Sequence, residues 1–260
     1  MNPSQEGTRV EPEGDELGMR DYWDAKAREN AMYFIHSTLD YSDTDEAEFW
    51  ASGPDTLDKT LEPFGRTILP SDQVVEIGCG IGRLTRALAH RAGRVVGIDV
   101  SKEMIERARL ALADLANVDL LVGNGSDLAG VADASMDVAY SFIVFQHIPD
   151  PAVTCHYIEE IGRVLRPGGW TVFQISQLHE IHRRETWKSD ESLKARLHRI
   201  RGRKPRGCLE PQWLGSALTP DELLGALDRA GLVLDEMIGA GTQYCGVNAH
   251  RPPLSSAPSR

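Results

Sequence analysis

Gly78, Gly80 and Gly82 alternate with Cys79 and Ile81 in the run VVEIGCGIGRLT (Val74 to Thr85), and Glu76 precedes the first glycine by two positions. An apolar stretch of strand length runs into the glycines, and helix-forming residues follow at once. Glycine lets a backbone turn tightly and approach a ligand with no Cβ in the way, while a helix N-terminus offers unpaired N–H groups. Asp99 ends the next apolar stretch, 21 residues beyond Gly78. A carboxylate so placed accepts hydrogen bonds from both hydroxyls of a ribose. The pattern predicts a site for an adenosine-type ligand. It departs from dinucleotide spacing, because Arg83 stands where GxGxxG has its third glycine. Glu76 would repel a diphosphate but suits a zwitterion carrying an ammonium and a sulfonium.

Other side chains have chemical and structural readings. His147, in SFIVFQHIPDP, follows the fourth apolar stretch. An imidazole of ordinary pKa about 6.5 can take a proton from a hydroxyl or amine near neutrality, or it can orient a substrate or the fold. Cys79 fits a small side chain packed under the glycine loop better than a reactive thiol. Tyr22, Trp23 and Tyr33 could cap a ligand or pack a first helix, and Tyr244 is a candidate for a substrate pocket. His179, Glu180, His182 and Glu185 lack HExxH spacing or a third ligand, so no metal site is expected.

The elements that must position these residues alternate. Apolar stretches at 74–77, 94–98, 118–122, 136–142 and 170–176 are separated by helical segments at 82–92, 101–116 and 151–165. Strand and helix in alternation predict an α/β fold with a parallel sheet covered on both faces, wound by right-handed crossovers into a Rossmann-like doubly wound sheet. Ser101 caps one helix start, and RPGG (Arg166 to Gly169) reads as a helix stop and tight turn. Two further strands, GLVLDEMIG and TQYCGVNAH, lie too close for a crossover helix and form an antiparallel hairpin, making seven strands with an antiparallel last one. The predicted organisation is a disordered tail (1–18), a helical cap (19–70) with helices near 19–39 and 56–69, the core (71–176), an insertion (177–217), the end of the core (218–250) and a second tail (251–260).

The 260 residues carry a formal charge of −11. Residues 1–60 hold fifteen acidic and five basic side chains, whereas residues 177–217 hold ten basic and five acidic ones, among them RIRGRKPR at 199–206. The insertion reads as a basic lid that docks on the acidic cap or meets an anionic ligand. An acidic body is a poor general binder of nucleic acid. Four cysteines far apart, without CxxC, argue against a zinc ribbon or a disulfide framework and suit a reducing cytoplasm. No apolar run spans a membrane, and the first residues are not a signal peptide.

From residue 70 to 176 closely, and from 219 to 250 in layout, the chain resembles the class I S-adenosylmethionine-dependent methyltransferases. The stretches that carry the likeness are EIGCGIGRLT, VVGIDVSKEMIERAR, LLVGNGSDL, MDVAYSFIVFQHIPDP and VLRPGGWTVF. The resemblance implies S-adenosylmethionine as cofactor, with Glu76, Gly78, Cys79, Gly80 and Gly82 around its methionyl part and Asp99 on its ribose. Val100 and Met104 would flank the adenine, Met104 having helix core as its other reading. Asn124, Gly125 and Ser126 would meet the adenine edge, and Phe142 would lie beside the methionyl group. Many relatives have Asp where this chain has Asn124. The implied activity is methyl transfer to O or N of a small-molecule acceptor, with His147 as catalytic residue and Tyr22, Tyr33 and Tyr244 toward the acceptor. SFIV replaces the NPPY-like tetrapeptide of adenine-methylating relatives, so DNA is not expected. An RNA or protein acceptor bound through the basic insertion, or a non-methylating relative, are the other readings.

Overall fold

The computed structural model describes residues 16–183 and 210–254, with side chains from Gly18 onward. Cys208, RIRGRKPR and most of both tails and of the basic insertion lie outside the described residues. Among the described residues no helix is long and apolar enough to cross a membrane.

Helices α1 (Glu16–Ile35) and α2 (Glu46–Leu61) precede β1 (Gln73–Ile77), α3 (Arg83–Ala89), β2 (Arg94–Asp99), α4 (Lys102–Ala111), β3 (Val118–Val122) and β4 (Met136–Ser141). Then come α5 (Pro151–Val164), β5 (Leu165–Ile175), a helical turn α6 (Pro211–Leu214), α7 (Pro220–Arg229), β6 (Val233–Ile238) and β7 (Cys245–His250). The seven strands lie in the order β3-β2-β1-β4-β5-β7-β6. β1 pairs in parallel with β2 and β4, β2 with β3 and β4 with β5, whereas β7 runs antiparallel to both neighbours. This is the doubly wound, seven-stranded sheet with an antiparallel last strand that the sequence predicts.

Alternation along the strands divides the core. Val74, Val95, Val138 and Val172 face α2 and α3 through Leu57, Leu61, Leu84 and Leu88. Their neighbours Val75, Val96, Ala139 and Phe173 face α5 and α7 through Ile158, Ile161, Leu223 and Leu227. Each buried valine, leucine, isoleucine or phenylalanine among them contributes about 1.5–3 kcal/mol. The cap expected at Ser101 is present, its Oγ accepting from the Met104 N–H at 3.1 Å; α7 opens on a capping box of Thr219 and Glu222.

Three local readings change. α1 is two helical pieces across Asn30 (φ −167°, ψ 84°) rather than one. The Asn30 amide donates to Tyr41 O at 3.0 Å and Thr44 Oγ1 at 2.8 Å, which ties the break to the following loop. α2 starts ten residues before the expected Thr56 and passes through Pro54. Gly53 is needed there because a Cβ would lie 2.7 Å from the Arg83 carbonyl oxygen. RPGG belongs to β5 instead of a free turn, because Arg166 pairs with Asp137 at 2.9 Å and the Gly168 N–H donates to Arg251 O at 2.8 Å.

The first piece of α1 is clasped over the carboxyl ends of β2 and β3. Arg20 donates from Nε to Val100 O at 3.2 Å and from Nη2 to Gly123 O at 3.0 Å. Asp24 Oδ1 accepts from Ser101 Oγ at 2.5 Å and from the Glu103 N–H at 3.0 Å, seating a carboxylate on the N-terminus of α4.

Candidate active site

β1 delivers the chain into a loop whose glycines have φ of 74° (Gly78), 55° (Gly80) and 94° (Gly82). Besides that conformation, space forbids a side chain: a Cβ on Gly78 would lie 2.3 Å from Val144 and one on Gly80 2.6 Å from Ile35. Above the loop a cleft of about 850 Å³ is lined on one side by Gly78, Gly80, Asp99, Val100, Met104 and Gly125. Phe142, Ile143, Val144 and His147 line its other side, and Met19, Trp23, Phe34 and Ile35 of α1 close it.

Asp99 stands at the end of β2 with its carboxylate fixed: Oδ2 accepts from the Gly80 N–H and Oδ1 from the Ser101 N–H, both at 2.8 Å. Burial pushes its pKa up to about 6 despite those two bonds, and the neighbouring Asp24 adds to the rise. The bonds leave further lone pairs on both oxygens for hydroxyl donors.

Glu76, Cys79, Gly82, Asn124 and Ser126 stand outside that lining. Glu76 is buried on β1, where its Oε2 accepts from Thr85 Oγ1 at 2.5 Å, and burial raises it to about 7. The Cys79 thiol is buried under the loop beside the Gly80 carbonyl at 3.7 Å, and desolvation lifts its pKa well above that of a free thiol. Gly82 instead lets Leu112 approach, since a Cβ would lie 2.5 Å from it. Asn124 Oδ1 accepts from the N–H groups of Ser126 (3.0 Å) and Asp127 (3.1 Å), an Asx turn that presents Gly125 to the cleft. Tyr22 packs edge-on to Trp23 at 5.3 Å, and Tyr33 packs on Phe34 and Tyr41.

A second chamber of about 1430 Å³ shares Phe34, Ile35, Phe142, Ile143 and His147 with the cleft. Arg83, Thr56, Lys59 and Thr60 line it from α2 and α3, and Gln146, Trp213, Gln243 and Tyr244 complete it. His147 sits where the two spaces meet, its ring against Trp23 and Trp213 at 5.6 and 5.3 Å. Its Nδ1 lies 2.9 Å from Trp213 O. A carbonyl only accepts, so Nδ1 carries the proton and Nε2 keeps the lone pair. Burial holds this imidazole down at about 4, so it is neutral at physiological pH.

Behind His147 runs a buried amide chain that sequence reasoning missed. Gln174 on β5 donates to Gln146 Oε1 at 3.1 Å and to Gln243 O at 2.6 Å, and Gln146 Nε2 lies 3.3 Å from His147 Nε2. The available signal was a glutamine in the middle of an apolar strand, which has to find partners once buried. Arg20, Asp24, Arg83 and Trp213 were missed too, because their roles depend on segments distant in sequence.

Residues 75–173 match the family model described as a methyltransferase domain. The chain is 32% identical over 126 residues to a ubiquinone biosynthesis O-methyltransferase of Xanthomonas campestris, an alignment covering 46% of this chain and 52% of that one. It therefore spans about half the length of that relative. Among solved structures, magnesium protoporphyrin IX methyltransferase from Synechocystis with bound S-adenosylmethionine superimposes at a TM-score of 0.57, with 15% identity, over 92% of this chain and 97% of that one. A methyltransferase in complex with the Trm112 activator of Haloferax volcanii gives 0.56, with 23% identity, over 89% and 97%. Both likenesses concern the fold.

Proposed function

We propose that this chain, whose residues 75–173 match the methyltransferase-domain model, is an S-adenosylmethionine-dependent methyltransferase that methylates an O or N atom of a small-molecule acceptor held in the chamber beside His147. The observation that carries this reading is the junction of the two spaces: a cleft bounded by the glycine loop and Asp99 opens past Phe142 and His147 into a chamber of mixed aromatic and polar lining.

The residues fit the donor. Gly78 and Gly80 clear its path, Asp99 offers lone pairs to ribose hydroxyls, and Val100, Met104 and Gly125 line the cleft on the side left for the adenine. S-adenosylmethionine supplies an electrophilic methyl on a sulfonium that already is a good leaving group. What remains for the protein is to hold the acceptor in line and to exclude water, effects worth on the order of 7–11 kcal/mol in favourable intramolecular cases. Tyr244 and the aromatic walls shape the acceptor side. Glu76, Cys79, Gly82, Asn124 and Ser126 support the donor from behind by setting the loops, and Tyr22 and Tyr33 pack on the aromatic neighbours Trp23, Phe34 and Tyr41. The acceptor's nucleophilic atom lies beside the His147 ring in this reading; the Nε2 lone pair already meets the Gln146 amide N–H at 3.3 Å, and with that bond and its low pKa the imidazole orients the site more than it acts as a strong base. The buried free thiols Cys79, Cys155 and Cys245 support a reducing, cytoplasmic setting.

Calorimetric titration with S-adenosylhomocysteine tests the donor reading. Binding that Asp99→Ala abolishes is expected; no heat at millimolar ligand overturns it. Mass spectrometry of an acceptor gaining one methyl from labelled donor tests the reaction.

A further inference from the structure

Arg83, the first residue of α3, is 4% exposed. Its Nη1 donates to Ser52 Oγ at 3.1 Å and Thr56 Oγ1 at 2.9 Å, and its Nε is buried with no partner. Among the described residues no carboxylate is hydrogen-bonded to it. Buried guanidinium groups ordinarily pair with an acid, because desolvating an unopposed charge is costly. The acid it feels most is Glu76, which is committed to Thr85 and raised to about 7, so much of it is neutral at physiological pH. α2 approaches closely at Gly53 to supply the two hydroxyls, and Arg83 lines the second chamber with Thr60 and Lys59.

We propose that Arg83 anchors a carboxylate on the methyl acceptor, so that the chamber takes an aromatic acid bearing a hydroxyl or amine, its acid group on Arg83 and its nucleophilic atom toward His147. The aromatic part of this assignment comes from the walls: Phe34, Phe142, Trp213 and Tyr244 offer ring faces and edges to a flat ligand. A guanidinium already held by two hydroxyls is preorganised for a planar oxyanion, and its unpartnered N–H groups supply the donors. The methyl donor also carries a carboxylate, but Arg83 lines the chamber and not the cleft of Gly78 and Asp99, which favours the acceptor. The proposal rests on the methyltransferase reading above.

The probes are benzoate and benzamide, alike in shape and different in charge, titrated calorimetrically into the full chain with and without saturating S-adenosylhomocysteine. Benzoate is expected to bind about tenfold tighter than benzamide. Arg83→Gln should erase that preference and Arg83→Lys should keep part of it, with the affinity for S-adenosylhomocysteine unchanged in both. Equal affinities in the unaltered protein overturn the proposal without any variant having to fold. So does an Arg83→Gln protein that loses S-adenosylhomocysteine but keeps 5′-methylthioadenosine, which lacks the carboxylate, since the anion held would then be the donor's. Failure of S-adenosylhomocysteine to bind at all sinks the methyltransferase reading instead, and the benzoate comparison on the protein alone still decides whether Arg83 holds an acid.

Discussion

Gln174 reaches from β5 to the loop after β4 and accepts, through Oε1, the backbone N–H of Ile143 at 3.1 Å; Ile143 has a φ of 55°. A β-branched residue in the left-handed region is strained by about 1–3 kcal/mol and persists only where its surroundings impose it. The strained residue lies between Phe142 and Val144, on the wall common to the cleft and the chamber.

Gln174→Leu should therefore cost about 2–3 kcal/mol in urea unfolding, since the Ile143 N–H and the Gln146 and Gln243 oxygens lose a buried partner together. Stability equal to the unaltered protein would show that the amide chain does not hold the loop.

Burial holds His147 near 4, below its ordinary 6.5. The unfolded chain then binds the extra proton first, so this residue's contribution is complete above pH 6.5 and is lost as pH falls toward 4. His147→Phe should flatten the pH dependence of unfolding in that window by about 3 kcal/mol. The methyl-transfer rate should show no His147 inflection between pH 6 and 8.

Glu76 has the opposite sign. Its folded pKa of about 7 lies above the unfolded carboxyl value, so its favourable contribution is present at low pH and disappears as pH rises through 7. Glu76→Gln keeps the shape without the charge and should raise stability at pH 8 by about 1–3 kcal/mol, with little change near pH 4.5. Thermal melts at the two pH values check this.

Asp99 titrates near 6 before any ligand arrives. Ribose hydroxyls need the carboxylate as acceptor, so affinity for S-adenosylhomocysteine should fall progressively below pH 6. Asp99→Asn should remove most of that dependence along with much of the affinity.

Asp24→Ala leaves Ser101 Oγ and the Glu103 N–H without their carboxylate and loosens α1 over the cleft. A loss of about 1 kcal/mol in stability is expected, in line with a lost helix cap. Hydrogen exchange should rise selectively in α1.

The sheet, its antiparallel strand and the glycine loop were legible in the sequence because each follows from local pattern: strand-length apolar runs, helix starts such as Ser101, and glycines where φ is positive. The start of α2 was not: the expected helix opened at Thr56, whereas the fold runs it through Gly53 and Pro54 and uses the glycine to admit Arg83's carbonyl. Seven of the twelve donor-site candidates line the cleft, and the other five set the loops around it. A spacing argument finds the loop but does not tell which of its side chains turn inward. His147 was visible as a candidate, but the amide chain behind it joins the loop after β4, β5 and the β6–β7 connection, and pairings over such separations leave no periodic trace.

The placement of β7 between β5 and β6 bears on how the molecule is made. A ribosome that has released β5 has supplied the walls of the cleft, yet the free edge of β5 stays bare until the final hairpin emerges. For that interval the nascent chain exposes an unpaired row of backbone groups open to association with other strands. It also lacks Gln243 and Tyr244, and so has no finished chamber. Competence to hold a nucleoside should thus precede competence to hold its reaction partner, and slowed translation between the two should appear as aggregation and not as misdirected chemistry.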